Sequence, residues 1–227
     1  MNDYTLKPVA KIYTDFDDKF GIPRQSGRVK SIIGKIVFEP EFRTPDALRG
    51  IEGFNYIWLI FDFSLSHRDN FSPTVRPPRL GGNKRVGVFA TRSPFRPNNL
   101  GLSSVKLERI ENTEEGTVLI VSGADLLNET PIFDIKPYIP YSDCHTDAAE
   151  GFTENTKNYK LEVNFPENLL DSIPQEKRRT LIDCLAEDPR PSYTEDGKVF
   201  KMKFAGFDVV FYVENGKLSV TDVIRLR

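Results

Sequence analysis

Seven short runs of β-branched and aromatic residues, each closed off by Gly, Pro, Asn or Asp, constrain this chain more than anything else in its sequence. They are Val9 to Tyr13, Gly34 to Phe38, Tyr56 to Phe63, Val86 to Ala90, Ser103 to Ile110, Val118 to Ser122 and Ile132 to Tyr138. Runs of this length and composition read as strands, and the punctuation between them prevents their merging into longer elements. So many strands with so little helix predict a mainly β fold, a barrel or a sandwich. Pro45 to Ile51 is expected to form one short helix. Tyr56-Ile-Trp-Leu-Ile-Phe61 is apolar throughout, which predicts a strand covered on both faces with Trp58 in the core.

The pattern changes near Cys144. From there to Asn158 the sequence is polar and without periodicity, as a connecting segment would be. Ser172-Ile-Pro-Gln175 then has capping-box spacing, and Leu181, Ile182 and Leu185 recur at helical intervals until Asp188-Pro189. Phe200, Met202 and Phe204, and then Val209, Phe211 and Val213, alternate with polar residues as in half-buried strands, and Asn215-Gly216 is a hairpin signal before Leu218 to Ile224. The expected organisation is an N-terminal β domain over residues 5–145, a linker over 146–164, and a small helix-plus-meander α+β domain over 165–227.

Charge along the chain is sorted. Between Asn70 and Leu107 there is no acidic residue, yet Arg76, Arg79, Lys84, Arg85, Arg92, Arg96 and Lys106 all lie there, on a chain whose formal net charge is −2. Pro and Gly are interleaved with these cations, which fixes turns and suggests a shaped site for an anionic partner. A solvated basic face is the competing reading. Cys144 and Cys184 form no CxxC pair, and His67 and His145 are the only imidazoles, too few ligands at the wrong spacing for structural zinc. No metal is expected. Sparse cysteine, no N-terminal hydrophobic run in Met1 to Ala10, and no apolar stretch of membrane-spanning length lead to the expectation of a cytoplasmic protein without a membrane partner.

Four segments combine tight turns with polar side chains at strand ends: Gly21 to Gly27 with Arg24 and Gln25, Phe63 to Arg68 with Ser66, His67 and Arg68, the cationic block, and Gly123 to Pro131 followed by Phe133 to Tyr138. Arg92 or Arg96 could instead simply pair with Asp125 or Asp134 in a structural bridge. There is no G-x-G-x-x-G after a strand, no phosphate loop and no G-x-S-x-G elbow, so a dinucleotide fold, an NTPase and a serine hydrolase are not indicated.

Pro23-Arg-Gln25, Phe54 to Phe61, Arg76-Pro-Pro-Arg-Leu-Gly-Gly82, Gly87-Val-Phe-Ala-Thr-Arg-Ser93, Phe95-Arg-Pro-Asn98 and Asp134-Ile-Lys-Pro-Tyr138, in this order, closely resemble the TsaA-like family, and Asp188-Pro-Arg-Pro-Ser-Tyr193 resembles its shared tail motif. The resemblance implies a β-barrel methyltransferase outside the Rossmann class, a homodimer using S-adenosylmethionine. The expected acceptor is N6 of threonylcarbamoyladenosine next to the anticodon of tRNA, with Thr-type tRNAs the expected substrates. It further implies a cofactor pocket drawing on Gln25, Ser26, Gly27, Ser66, His67, Arg92, Leu102, Asp125, Leu126, Leu127 and Asn128. Methyl transfer to such a nitrogen depends on positioning and on relief of developing charge; Asp134, Lys136 and Tyr138 are the candidates for catalysis by orienting the acceptor. Arg76, Arg79, Lys84, Arg85 and Arg96 are the candidates for tRNA binding. The alternative is a non-catalytic module that binds RNA or a nucleotide.

Overall fold

The computed structural model describes residues 4–80, 83–156, 159–191 and 193–226. Its residues group into two compact units. The first takes in the chain up to Thr14, Gln25–Val75 and Val86–Tyr138; the second is built from Asp15–Arg24, Arg76–Arg85 and the chain from Ile139 onward.

Among the described residues the first unit contains eight strands: β1 (Ala10–Tyr13), β2 (Ile33–Phe38), β3 (Tyr56–Asp62), β4 (Thr74–Val75), β5 (Val86–Gly87), β6 (Leu100–Thr113), β7 (Gly116–Ser122) and β8 (Thr130–Pro137). Six of them pair in the cyclic order β1-β2-β7-β6-β3-β8, with β8 returning to β1, a closed barrel; β4 and β5 form a separate two-stranded sheet. Inward residues Ile12, Ile36, Ile57, Leu59, Phe61, Val105, Leu107, Leu119, Val121, Leu126 and Ile132 form one buried cluster. Closure pairs every strand of the barrel on both sides and leaves it no edge.

Three expectations change here. The run Tyr56 to Phe61 is not covered on both faces: Ile57, Leu59 and Phe61 are buried, whereas Tyr56, Trp58 and Ile60 face outward. Trp58 is half-buried on that outer face, its ring 5.4 Å from Tyr138, and is not a core residue. Strand β5 stops at Gly87, and Val88–Ala90 turns as a 3₁₀ helix, because the Val88 carbonyl accepts both the Thr91 N–H and the Thr91 hydroxyl. Pro45 to Ile51 is two 3₁₀ turns, Pro45–Leu48 and Ile51–Gly53, separated by Gly50 in a left-handed conformation.

A bulge in β8 decides which residues face outward. Ile60 pairs with Asp134 but Phe61 pairs with Ile132, so Phe133 is an extra residue in the ladder. Before it, Thr130 and Ile132 are buried; after it, Ile135 packs against the barrel core. Without the bulge, period two would put Asp134 and Lys136 on the face of Ile132.

The second unit holds the short helices α1 (Pro140–Asp143) and α2 (Glu167–Leu170), the longer α3 (Gln175–Ala186), and a sheet of β9 (Glu162–Asn164), β10 (Val199–Phe204), β11 (Phe207–Glu214) and β12 (Lys217–Arg225) in the order β10-β11-β12-β9. The stretch read as a connection up to residue 164 thus ends in β9, parallel to β12. Helix α3 buries Leu181, Cys184 and Leu185 on one face. It begins after Pro174, with no side-chain cap, so Ser172 does not close a capping box; the extended conformation of Pro174 sets the start instead. Asn215 and Gly216 have φ of 50° and 76°, the type I′ hairpin that the dipeptide predicts, and Ala205-Gly206 makes a second such turn. Phe16 and Phe20, from the N-terminal segment of this unit, pack on Phe204 and on Phe200 and Phe211.

Candidate functional site

The candidate cofactor residues of the first unit fall into two groups. The first surrounds Asp125, in the loop between β7 and β8. Ser103 on β6 donates its hydroxyl to Asp125 Oδ1 at 2.6 Å, and the Ser26 backbone N–H also donates to this carboxylate. Arg92 acts on the carboxylate through its charge and donates from Nη1 to the Gln25 side-chain carbonyl. Burial pushes the Asp125 carboxyl above the usual carboxylate range; the Ser103 hydroxyl, its own backbone N–H, Arg92 and the Ser26 N–H pull it partly back.

Two glycines let these loops meet. The Gly27 N–H donates to the Gly123 carbonyl at 2.8 Å, and both residues have φ near +75°, at 74° and 77°. A Cβ on Gly123 would come within 3.4 Å of the Gly27 backbone, whereas one on Gly27 would point into open space. Asn128 accepts the Thr14 N–H through Oδ1, and the Leu126 carbonyl accepts the Thr14 hydroxyl, which ties this loop to the end of β1. The Leu126 side chain belongs to the barrel core, so this residue offers a ligand only its backbone.

The second group lies on the outer face of β6, β3 and β8. Register sets its rows: Leu102 beside Ile60 beside Asp134, then Ser104 beside Trp58 beside Lys136, then Lys106 beside Tyr56. Leu102 and Asp134 are thus separated by two strand spacings, roughly 10 Å. Asp134 and Lys136 form a 2.8 Å ion pair, and the Asp134 carboxylate holds the exposed Lys136 ammonium above its ordinary pKa. The Tyr138 N–H donates to the Tyr56 carbonyl, and its ring packs on Trp58 and Tyr56. At the end of β3, His67 Nε2 lies 2.7 Å from Asp62, the cross-strand neighbour of Leu100. Ser66 is buried, and its carbonyl accepts the Asn99 side-chain amide. Leu102 and Ser103, adjacent in sequence, face out of and into the barrel and so join the two groups.

The cationic stretch is divided between the units. Arg76, Lys84 and Arg85 are exposed in the second unit; the side chain of Arg79 lies outside the described residues. Arg92 and Arg96 belong to the first unit. Arg96 donates to the Thr91 and Ser93 carbonyls of its own turn, a role in holding the backbone, and among the described residues it pairs with neither Asp125 nor Asp134. Sequence reading missed Ser103, although a polar residue on the inward face of β6, between Gly101 and Val105, is a signal. Arg68, offered by the sequence beside Ser66 and His67, has its guanidinium 3.7 Å over the Phe95 ring. Among the described residues no three His, Cys, Asp or Glu side chains gather as a metal site, and no helix is long and apolar enough to cross a membrane.

The donor set suits S-adenosylmethionine. Gln25 and Arg92 can donate to a carboxylate, Asp125 can accept from hydroxyl or ammonium groups, Leu102 and Leu127 offer apolar surface, and the left-handed Gly27 opens onto free space.

Comparison with known proteins agrees with this chemistry. The tRNA-methyltransferase O N-terminal domain family matches residues 11–144, and the TrmO C-terminal domain family matches residues 158–226. The tRNA (adenine(37)-N6)-methyltransferase of Escherichia coli (strain K12) is 35% identical over 229 residues, covering 97% of both chains. The protein of the same name from Eikenella corrodens is 46% identical over 75% of this chain and 97% of its own. The crystal structure of TrmO from Pseudomonas aeruginosa superposes with a TM-score of 0.79 at 31% identity, covering 98% of each chain. Matched along both halves of its length, in sequence and in fold, this chain belongs to the tRNA-methyltransferase O family.

Proposed function

We propose that this chain is an S-adenosylmethionine-dependent methyltransferase that modifies N6 of threonylcarbamoyladenosine next to the anticodon of tRNA. Its relatives carry the name tRNA (adenine(37)-N6)-methyltransferase, and the chain covers nearly their whole length. The observation that carries the cofactor assignment is the convergence of Gln25, Ser26, Gly27, Arg92 and the 123–128 loop around Asp125. Bound there, S-adenosylmethionine supplies an electrophilic methyl group on a sulfonium.

On this reading the cofactor cradle is the rim of the barrel, and the acceptor lies along its outer face. Asp134 accepts the hydrogen bond of the N6–H and takes the proton released on methylation, and Lys136, its ion-pair partner at 2.8 Å, orients that carboxylate. The Tyr138 and Trp58 rings offer a base a stacking surface. Arg76, Arg79, Lys84 and Arg85 bind the phosphates of the RNA. The enzyme works as a homodimer in the cytoplasm. Support for the dimer comes from Leu100 and Leu102, which are 38% and 57% exposed on the outer face of β6 beside the acceptor row. A non-catalytic binding module leaves the match to the methyltransferase relatives unexplained.

The test is nucleoside mass spectrometry of tRNA from a strain lacking the gene. The N6-methylated form of threonylcarbamoyladenosine should vanish and return on complementation. Its undiminished presence in a strain with no second enzyme of this kind would overturn the proposal.

A further inference from the structure

We propose that Ser103 is a positioning residue for the cofactor: its buried hydroxyl holds the Asp125 carboxylate in the orientation that clasps the Ser26 loop and meets the ligand. The inference rests on the reading of the Asp125 loop as the cofactor cradle. Ser103 is 3% exposed and points inward from β6, where its neighbours on that face are Gly101 and Val105. A hydroxyl there needs a partner, and it has one in Asp125 Oδ1 at 2.6 Å, the length of a hydrogen bond to a charged acceptor. The same carboxylate takes the Ser26 N–H. One side chain therefore joins β6, the 25–27 loop and the 123–128 loop, three segments far apart in sequence.

The energetics separate this role from a merely structural one. Asp125 titrates above its unfolded value, so it favours folding only when protonated; that contribution is complete below the unfolded pKa and is lost as pH rises through the folded one. Burial penalises the ionised carboxylate, and Ser103, Arg92, the charged group facing it, and the Ser26 N–H relieve part of that cost. A residue kept at the expense of stability is better explained by what it binds than by what it holds up.

The experiment measures S-adenosylmethionine binding by calorimetry across pH 5 to 8, and melting without ligand, for the full-length protein and for Ser103→Ala, Ser103→Thr and Asp125→Asn. Asp125→Asn should lose affinity, lose the fall in affinity toward acid pH, and melt no lower than the parent. Ser103→Ala should bind about tenfold more weakly, the worth of one hydrogen bond to a charged group. Its acid limb should move toward neutral pH, because a lowering influence on Asp125 is gone, and Ser103→Thr should move both values back. Parental affinity and an unmoved acid limb in Ser103→Ala, beside an impaired Asp125→Asn, would overturn the role of Ser103 alone. Parental binding by Asp125→Asn would overturn it together with the placement of the cradle.

Discussion

Gly101→Ala is expected to destabilise the barrel and to weaken cofactor binding at once. Gly101 sits on β6 directly across from Phe61 on β3, and the far end of the Phe61 ring occupies the space beside it: a Cβ on Gly101 would be 2.2 Å from Phe61 Cζ and 2.3 Å from Cε2. Ordinary van der Waals contact needs well over an ångström more, and the ring has nowhere to go. Phe61 is 4% exposed within the barrel core and already packs edge-on against Phe63 at 5.1 Å. Overpacking of this kind costs about 1–3 kcal/mol, against which the lost backbone freedom of glycine returns about 0.4–1 kcal/mol. A net loss of about 1–1.5 kcal/mol lowers the melting temperature by roughly 2–6 °C for a chain of this size. Because Leu102 and Ser103 follow on the same strand, a displaced β6 also loosens Asp125, and S-adenosylmethionine affinity should fall with stability. Gly53→Ala is the control: its Cβ meets nothing within 4 Å and its φ is not left-handed, so the substitution should be neutral or slightly stabilising. Thermal and urea unfolding measure the first effect, calorimetry the second, and Phe61→Leu combined with Gly101→Ala should recover part of both. A Gly101→Ala protein that melts with the parent would refute the claim that the ring is fixed beside the glycine.

Replacing Lys84 and Arg85 together by Ala should reduce the slope of log affinity for tRNA against log salt by about 1.5, the release of two counterions; an unchanged slope would return these residues to a solvated face. Tyr138→Ala should weaken tRNA binding by about 1–3 kcal/mol if the ring stacks on a base, with S-adenosylmethionine affinity unchanged, and equal loss of both in paired binding assays would argue for simple damage to the barrel. Cys144 is exposed, whereas Cys184 is buried and its thiol is pushed well above the usual range by burial and by Asp183, Glu187 and Asp15. A thiol reagent should therefore label one cysteine in the native protein and two after denaturation, and rapid native labelling of both would contradict that burial.

What could be read in advance follows physical range. The alternation of Val209, Phe211 and Val213 and the Asn215-Gly216 turn are local signals, and the structure agrees with them. Trp58 could not be placed, because an all-apolar run hides its own period: Tyr56 to Phe61 alternates in space although not in polarity. The outward direction of Asp134 depends on an extra residue in the ladder, which only the partner strand β3 reveals. Arg92 and Arg96 lie four residues apart in one turn, yet one meets Gln25 and the other its own backbone, a difference made by the fold and not by residue type. The link from Ser103 to Asp125 joins β6 to the loop after β7 and has no signature in spacing at all.

The second unit is threaded out of order, and this bears on how the protein is made. Phe16 and Phe20 leave the ribosome early, but the rings that cover them, Phe200, Phe204 and Phe211, are near the end of the chain. At roughly 5–20 residues per second, these two phenylalanines wait about 10–40 s without their partners while the barrel strands between them and Tyr138 are already available to pair. A nascent chain of this enzyme therefore carries a sticky N-terminal segment through most of its synthesis, an opening for chaperones. Genetic truncation after the barrel would make that exposure permanent.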